Sequence, residues 1–217
     1  MNGLIGVAFA ILAGYLLGSI PTSVIVGKVF FAQDPRKLGS GNAGGTNTFR
    51  VFGWKAGTAV IIADVAKGAA AVALAPLLAP SPSLDPVLVA LLAGAAAVVG
   101  HVWTVFAGFR GGKGVATSAG VLVALEPISF CATAVVFILA IAATGIVSVG
   151  SLSASFAFPC FITLRWLLGG EVPLILVPVS WLLGAFIAYT HRANIARLRR
   201  GEEKRFDKLK LFKKRPS

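Results

Sequence analysis

Long apolar runs separated by short polar punctuation dominate this chain. The first run covers Gly3–Phe31 and contains Pro21, whose missing N–H predicts a bend. The second covers Gly57–Ala79 and the third Pro86–Ala107, with the turn-rich linker Pro80–Asp85 between them. Residues 115–189 are almost continuously apolar, with interruptions at Glu126-Pro127, at Thr144–Gly150 and at Gly169-Gly170-Glu171. A helix needs ~20 mainly apolar residues to cross a bilayer, and each of the first three runs is that long. The segment Val115–Leu125 is too short to span alone. It is expected either as a short helix buried in the bundle or as one that dips without crossing.

Charge gives these runs a direction. The segment 33–55 carries Arg36, Lys37, Arg50 and Lys55, and 11 of the 20 Lys and Arg residues lie from Arg192 onward. The excess of basic residues on the inner side of membranes places both segments in the cytoplasm. Two spans then return the chain inside at Phe109–Gly114, which holds Arg110 and Lys113. An even number of crossings must follow, and four divide the remaining apolar stretch into segments of about 19 residues. The expected fold is an all-α integral membrane protein, a seven-helix transmembrane bundle with the N-terminus outside and the C-terminus cytoplasmic. Residues 1–190 would form the membrane domain, with cytoplasmic loops 33–56, 108–114 and 144–151. Residues 191–217 would form a basic cytoplasmic tail. This topology brings four polar segments to one face.

Composition agrees with a membrane as solvent. Of the 217 residues, 57% are hydrophobic and 13% charged, where soluble domains have about 25% charged. The net charge of +12 would suit nucleic acid, but it is gathered in the tail and short loops. Contact with anionic lipid headgroups explains it better, so membrane lipids are expected partners and nucleic acid is not. Cys131 and Cys160 lie inside apolar runs, where packing is the default role. No zinc spacing is present. The first run is too long for a cleaved signal peptide and lacks a basic region before it.

Three polar segments carry candidate chemistry. The first reads LGSGNAGGTNTFR over 38–50. Its glycines let backbone N–H groups turn toward an anion, Ser40, Asn42, Thr46, Asn47 and Thr48 add short polar side chains, and Arg50 adds a forked cation suited to phosphate. Gly39, Gly41 and Gly44 also fit a dinucleotide fingerprint, but the segment follows a membrane helix and no βαβ unit surrounds it. The second reads GHVWTVFAGFRGGKGVAT over 100–117, with Arg110-Gly111-Gly112-Lys113-Gly114 opening a helix, a favourable place for an anion. It is not an ATP-binding loop of the Walker type. Gly114 stands in place of Ser or Thr, and the leading glycine is missing. The third reads HRANIARLRRGEE over 191–203. His191 and Asn194 share a helix face, a proton acceptor beside an amide that can orient a hydroxyl or stabilise an oxyanion. Within the apolar runs, Asp64 and Lys67 are three residues apart and read as a structural ion pair. His101 reads as a packing or hydrogen-bonding residue.

In order and spacing, these three segments resemble the motifs of the bacterial acyl-phosphate:glycerol-3-phosphate acyltransferases (PlsY). SVGS at Ser148–Ser151 and DVAKG at Asp64–Gly68 resemble further short stretches of that family, so the resemblance covers essentially the whole chain. It implies seven membrane helices, no metal and no cofactor. The implied reaction is acyl transfer from acyl phosphate to the 1-hydroxyl of glycerol 3-phosphate at the bacterial inner membrane, in phospholipid biosynthesis. The catalytic positions it implies are Ser40, Arg50, His191 and Asn194. Substrate-binding positions would be Gly41, Asn42, Thr46, Asn47, Arg110, Gly111, Gly112, Lys113, Ser148 and Ser151, with Glu203, Asp64 and Lys67 structural. Ala43, Gly45 and Thr104 depart from the family's usual residues, as do Gly145 and Ile146, where a basic residue often precedes the serine motif. The hydroxyl proton could go to His191 or to the leaving phosphate, and either phosphate could occupy either loop. The His-x4-Asp pattern of thioester-using acyltransferases is absent, since Phe106 and Ala196 stand at the acid position. A small transporter of phosphorylated metabolites is the alternative class, with a site between broken helices.

Overall fold

The computed structural model describes residues 3–80 and 84–206. Among these residues there is no strand, and ten α-helices account for the fold. Ser81, Pro82 and Ser83 of the expected linker lie outside the described residues, as does the tail from 207 onward. Five helical segments are long and apolar enough to cross a membrane: Gly3–Phe31, Trp54–Leu78, Pro86–Ala107, Pro127–Thr144 and Val147–Leu167. Two shorter apolar helices, Val115–Leu125 and Leu176–Thr190, accompany them. The chain divides into two compact units, Met1–Pro127 and Ile128–Ser217.

In the first unit the run containing Pro21 is two helices, α1 (Gly3–Gly18) and α2 (Thr22–Phe31). Ser19, Ile20 and Pro21 form the break, which frees backbone carbonyls inside an apolar environment. They are taken up by side chains from elsewhere in this unit. Thr104 donates its hydroxyl to the Ser19 carbonyl, and Lys67 donates to the Ile20 carbonyl at 2.9 Å. The expected loop 33–56 is shorter than predicted, because it contains α3 (Gly45–Phe52) and α4 already starts at Trp54 (Trp54–Leu78). Then follow α5 (Pro86–Val102) and α6 (Val115–Leu125). Asp85 caps α5, accepting from the Val87 N–H at 2.9 Å, with Pro86 at its first position.

Small residues set the close packing. On α1, a Cβ at Gly14 would overlap the Ala93 carbonyl of α5, and one at Gly18 would overlap the Ala97 carbonyl. This is a small-xxx-small contact between two apolar helices. The pair α4 and α6 uses the same device reciprocally, with Gly68 against the Thr117 carbonyl and Gly120 against the Val65 carbonyl. The short helix α6 therefore packs directly on α4.

The second unit comprises α7 (Pro127–Thr144), α8 (Val147–Leu167), α9 (Leu176–Thr190) and α10 (Arg192–Arg199). The expected loop 144–151 is a correction. Gly145, at φ +70°, and Ile146 make the whole turn, and Ser148 and Ser151 sit in the first two turns of α8. Gly184 of α9 lets its helix approach α8, where an added Cβ would lie 2.6 Å from the Ser155 carbonyl. Trp181 Nε1 donates to Thr163 Oγ1 across the same pair at 3.2 Å. Cys131 and Cys160 are exposed rather than packed, so the expectation for them fails: they lie on outward helix faces.

Candidate active site

The first loop is organised by one buried amide. Asn47, 1% exposed, accepts the Ser40 N–H at 2.8 Å on its Oδ1. Its Nδ2 donates to the Pro35 carbonyl at 2.8 Å and to the Leu38 and Asn42 carbonyls at 3.1 Å each. The side chain expected to bind substrate thus has its amide committed to the loop's own backbone. Gly39, at φ +62°, passes so close to Asn47 Oδ1 that a Cβ there would overlap it. Ser40 and Gly41 are left exposed, with Asn42 and Thr46 partly so, and Arg50 lies partly exposed in the last turn of α3.

The second motif folds back on the end of α5. The Gly111 N–H donates to the Val102 carbonyl at 3.1 Å and the Gly112 N–H to the His101 carbonyl at 3.0 Å. These two N–H groups therefore serve the turn, and the expectation that they cradle phosphate needs revision. An anion here would meet Lys113 and the first turn of α6, which follows Gly114 in the left-handed region (φ +87°). Thr117 and Ser118 in that turn are buried, and neither hydroxyl has a hydrogen-bond partner among the described residues. Arg110 is exposed.

The two loops lie side by side. Arg36 Nη1 donates to the Ala107 carbonyl at 2.7 Å, while its other nitrogens grip Asp34, closest at 2.8 Å. The Arg36 hydrogen bond holds the Asp34 carboxyl below its ordinary value, against the effect of burial. Beneath them, Asp64 lies 2.8 Å from Lys67 Nζ, accepts from Thr22 Oγ1 at 2.6 Å, and faces His101 Nδ1 at 3.5 Å.

In the second unit, Glu203 gathers the third motif. Its Oε1 accepts from Asn194 Nδ2 at 2.5 Å and from Ser148 Oγ at 2.8 Å, and its Oε2 accepts from Arg197 Nε at 2.6 Å. Burial opposes ionisation of Glu203. The bonds from Asn194, Arg197 and Ser148, with the Arg197 charge, outweigh it and hold the carboxyl below its ordinary value. Ser151 donates to the Val147 carbonyl of its own helix at 3.1 Å. His191, 2% exposed, sits between α9 and α10 with Nδ1 at 2.8 Å from the Ile187 carbonyl. A carbonyl can only accept, so Nδ1 carries the proton and Nε2 is the acceptor nitrogen of the neutral ring.

Sequence reasoning missed Arg36, Thr22 and Arg197, each of which holds another residue in place. The alternation Asp34-Pro35-Arg36 ahead of the first motif was the available signal for the first.

Comparison with known proteins gives these sets a family. The family described as glycerol-3-phosphate acyltransferase matches residues 8–201. The chain belongs to the glycerol-3-phosphate acyltransferase family. Curated members similar to it include the glycerol-3-phosphate acyltransferases of Chlorobaculum parvum and Chlorobaculum tepidum, 46% and 44% identical. Each comparison covers 90% of this chain and 94% of the relative. Among solved structures of the family, the glycerol 3-phosphate form of PlsY (YgiH), an integral membrane glycerol 3-phosphate acyltransferase, superposes with a TM-score of 0.83. It is 34% identical, over 92% of this chain and 95% of that one. The lysophosphatidic acid form gives 0.82 at 32% identity, over 94% of this chain and 97% of that one.

Proposed function

We propose that this protein transfers an acyl group from acyl phosphate to the 1-hydroxyl of glycerol 3-phosphate, at the cytoplasmic face of a bacterial inner membrane. The products are lysophosphatidic acid and phosphate. The seven-crossing topology with the N-terminus outside belongs to this reading. The observation that carries it is the pair of loops in the first unit, joined by Arg36 and each fixed by buried hydrogen bonds, in a chain of this family. Two anion-suited loops match a reaction in which both substrates carry phosphate.

Ser40, Arg50 and the first loop receive the acyl phosphate, whose chain lies among the helices. Lys113, Arg110 and the start of α6 receive glycerol 3-phosphate. The hydroxyl oxygen attacks the acyl carbon, the bond from that carbon to the phosphate oxygen breaks, and phosphate leaves. The acyl donor is a mixed anhydride with a good leaving group, so positioning and charge stabilisation supply most of the rate. The hydroxyl proton ends on phosphate; in the second unit His191 Nε2 is the ring nitrogen able to accept a proton, and Glu203 fixes the Asn194 amide. If His191 is the base, His191→Ala lowers kcat at least about a hundredfold with little change in KM. Near-full turnover would assign the proton to the leaving phosphate. In vesicles bearing the protein, labelled glycerol 3-phosphate should emerge as lysophosphatidic acid. Uptake of intact label without acylation would replace this reading with a transporter.

A further inference from the structure

Three ionisable side chains lie deep in the first unit and take no part in the chemistry above: Asp64, Lys67 and His101, exposed 1%, 7% and 6%. An ion pair at such depth is a poor source of net stability, because desolvating both charges offsets their attraction. Its presence calls for another consequence, and its connections supply one.

Lys67 holds both Asp64 and the Ile20 carbonyl freed by the break before α2. Asp64 also takes the Thr22 hydroxyl from the start of α2 and faces His101 Nδ1 at the end of α5. His101 then meets the second motif twice. Its carbonyl accepts the Gly112 N–H, and the Nε2 edge of its ring occupies the place where a Cβ on residue 112 would stand. From the other side, the Ala43 carbonyl of the first loop lies 2.9 Å from that same point. Gly112 is therefore held in a slot with the imidazole edge as one wall and the first loop's backbone as the other. The position of that wall is set by Asp64, and the residue after the slot is Lys113.

We infer that His101 is a positioning residue for the second motif: its ring, held by Asp64, fixes Gly112 and so places Lys113 and the first turn of α6 on the phosphate of the bound substrate. This rests on the functional reading above, which gives that turn to glycerol 3-phosphate. A displacement of about 1 Å at such a turn is enough to lose a large part of the binding and rate that depend on it.

Two variants separate positioning from simple stapling of helices. His101→Asn keeps an N–H near the place of Nδ1, facing Asp64, and removes the wall beside Gly112. The expected result is a KM for glycerol 3-phosphate raised about tenfold, a kcat within about twofold, an unchanged KM for acyl phosphate and a nearly unchanged melting temperature. His101→Gln keeps an amide near the place of Nε2 and loses the Asp64 contact. It should melt lower, and with the wall no longer held by Asp64 its KM for glycerol 3-phosphate should rise as well, though less than in His101→Asn. Calorimetric binding of glycerol 3-phosphate, read on the same samples, should weaken about tenfold in His101→Asn. That measurement stands even if the parent protein transfers no acyl group, a result that would sink the functional reading alone. A rise confined to the acyl phosphate KM supports positioning and exchanges the loops' substrates. Unchanged KM and binding in His101→Asn, or a loss seen only as lower melting temperature and kcat, overturns the inference.

Discussion

Asn47 illustrates how one side chain can shape a loop through its backbone. Its amide holds four backbone groups between Pro35 and Asn42, among them the N–H of Ser40. Asn47→Ala would leave those groups unsatisfied in a buried place and lower kcat/KM about a hundredfold. Asn47→Asp keeps the shape but replaces the donating nitrogen with an oxygen facing carbonyls, so steady-state kinetics should find it equally impaired. Full activity in Asn47→Asp would contradict the arrangement. At this scale the sequence offers residue types: Ser40, Arg50, Lys113, His191 and Asn194 stand out by chemistry in polar segments. Partners were hidden. The bonds of Asn47 and His191 go to backbone groups, whose directions depend on φ and ψ and leave no mark in residue identity. The same cause took the Gly111 and Gly112 N–H groups away from the anion role expected of them.

At the scale of elements, apolar runs and their breakers located the helices, because bilayer thickness fixes length and Pro or Gly interrupts it. The failures were local. The turn near Ser148 is shorter than expected because Gly145 alone supplies the left-handed residue that lets α8 restart at Val147. The Gly14–Gly18 spacing on α1 was legible but unused. Gly18→Leu should drive its side chain into the Ala97 backbone and separate α1 from α5. Little folded protein should then be recovered, as size-exclusion profiles in detergent would reveal; a wild-type profile and melting temperature would refute the close contact.

Glu203 ties α8, α10 and the turn at Gly201, so its protonation belongs to this scale too. Its carboxyl is depressed in the folded protein, and such a group contributes stability above its unfolded value that is lost as pH falls through the folded one. The loss should begin near the ordinary glutamate value of about 4.3 and continue below it. Glu203→Gln should be less stable at neutral pH by about 1–3 kcal/mol, since it loses charge-assisted bonds. Its melting temperature should also fall less than the parent's below about pH 4. Parallel curves for the two proteins would contradict the assignment.

At the scale of the whole molecule, the membrane character was the most legible feature, since 57% hydrophobic residues in long runs leave few alternatives. The family was legible for a different reason: three polar segments occur in the order and spacing of that family's motifs. Hidden from the sequence was the internal wiring of each unit. One example is Arg36, just ahead of the first motif, which reaches the second motif through the Ala107 carbonyl. Another is Glu203, which joins Ser148 to Asn194.

The identity of the acyl donor decides the reaction. Purified protein in detergent or lipidic mesophase would receive palmitoyl phosphate and glycerol 3-phosphate, with magnesium chelated and palmitoyl-CoA as the parallel donor. Phosphate and lysophosphatidic acid would be measured together. Both products should appear in equal amounts from palmitoyl phosphate, and neither from palmitoyl-CoA. Product from palmitoyl-CoA alone, or no product from a folded protein that still binds glycerol 3-phosphate, would contradict the proposed reaction.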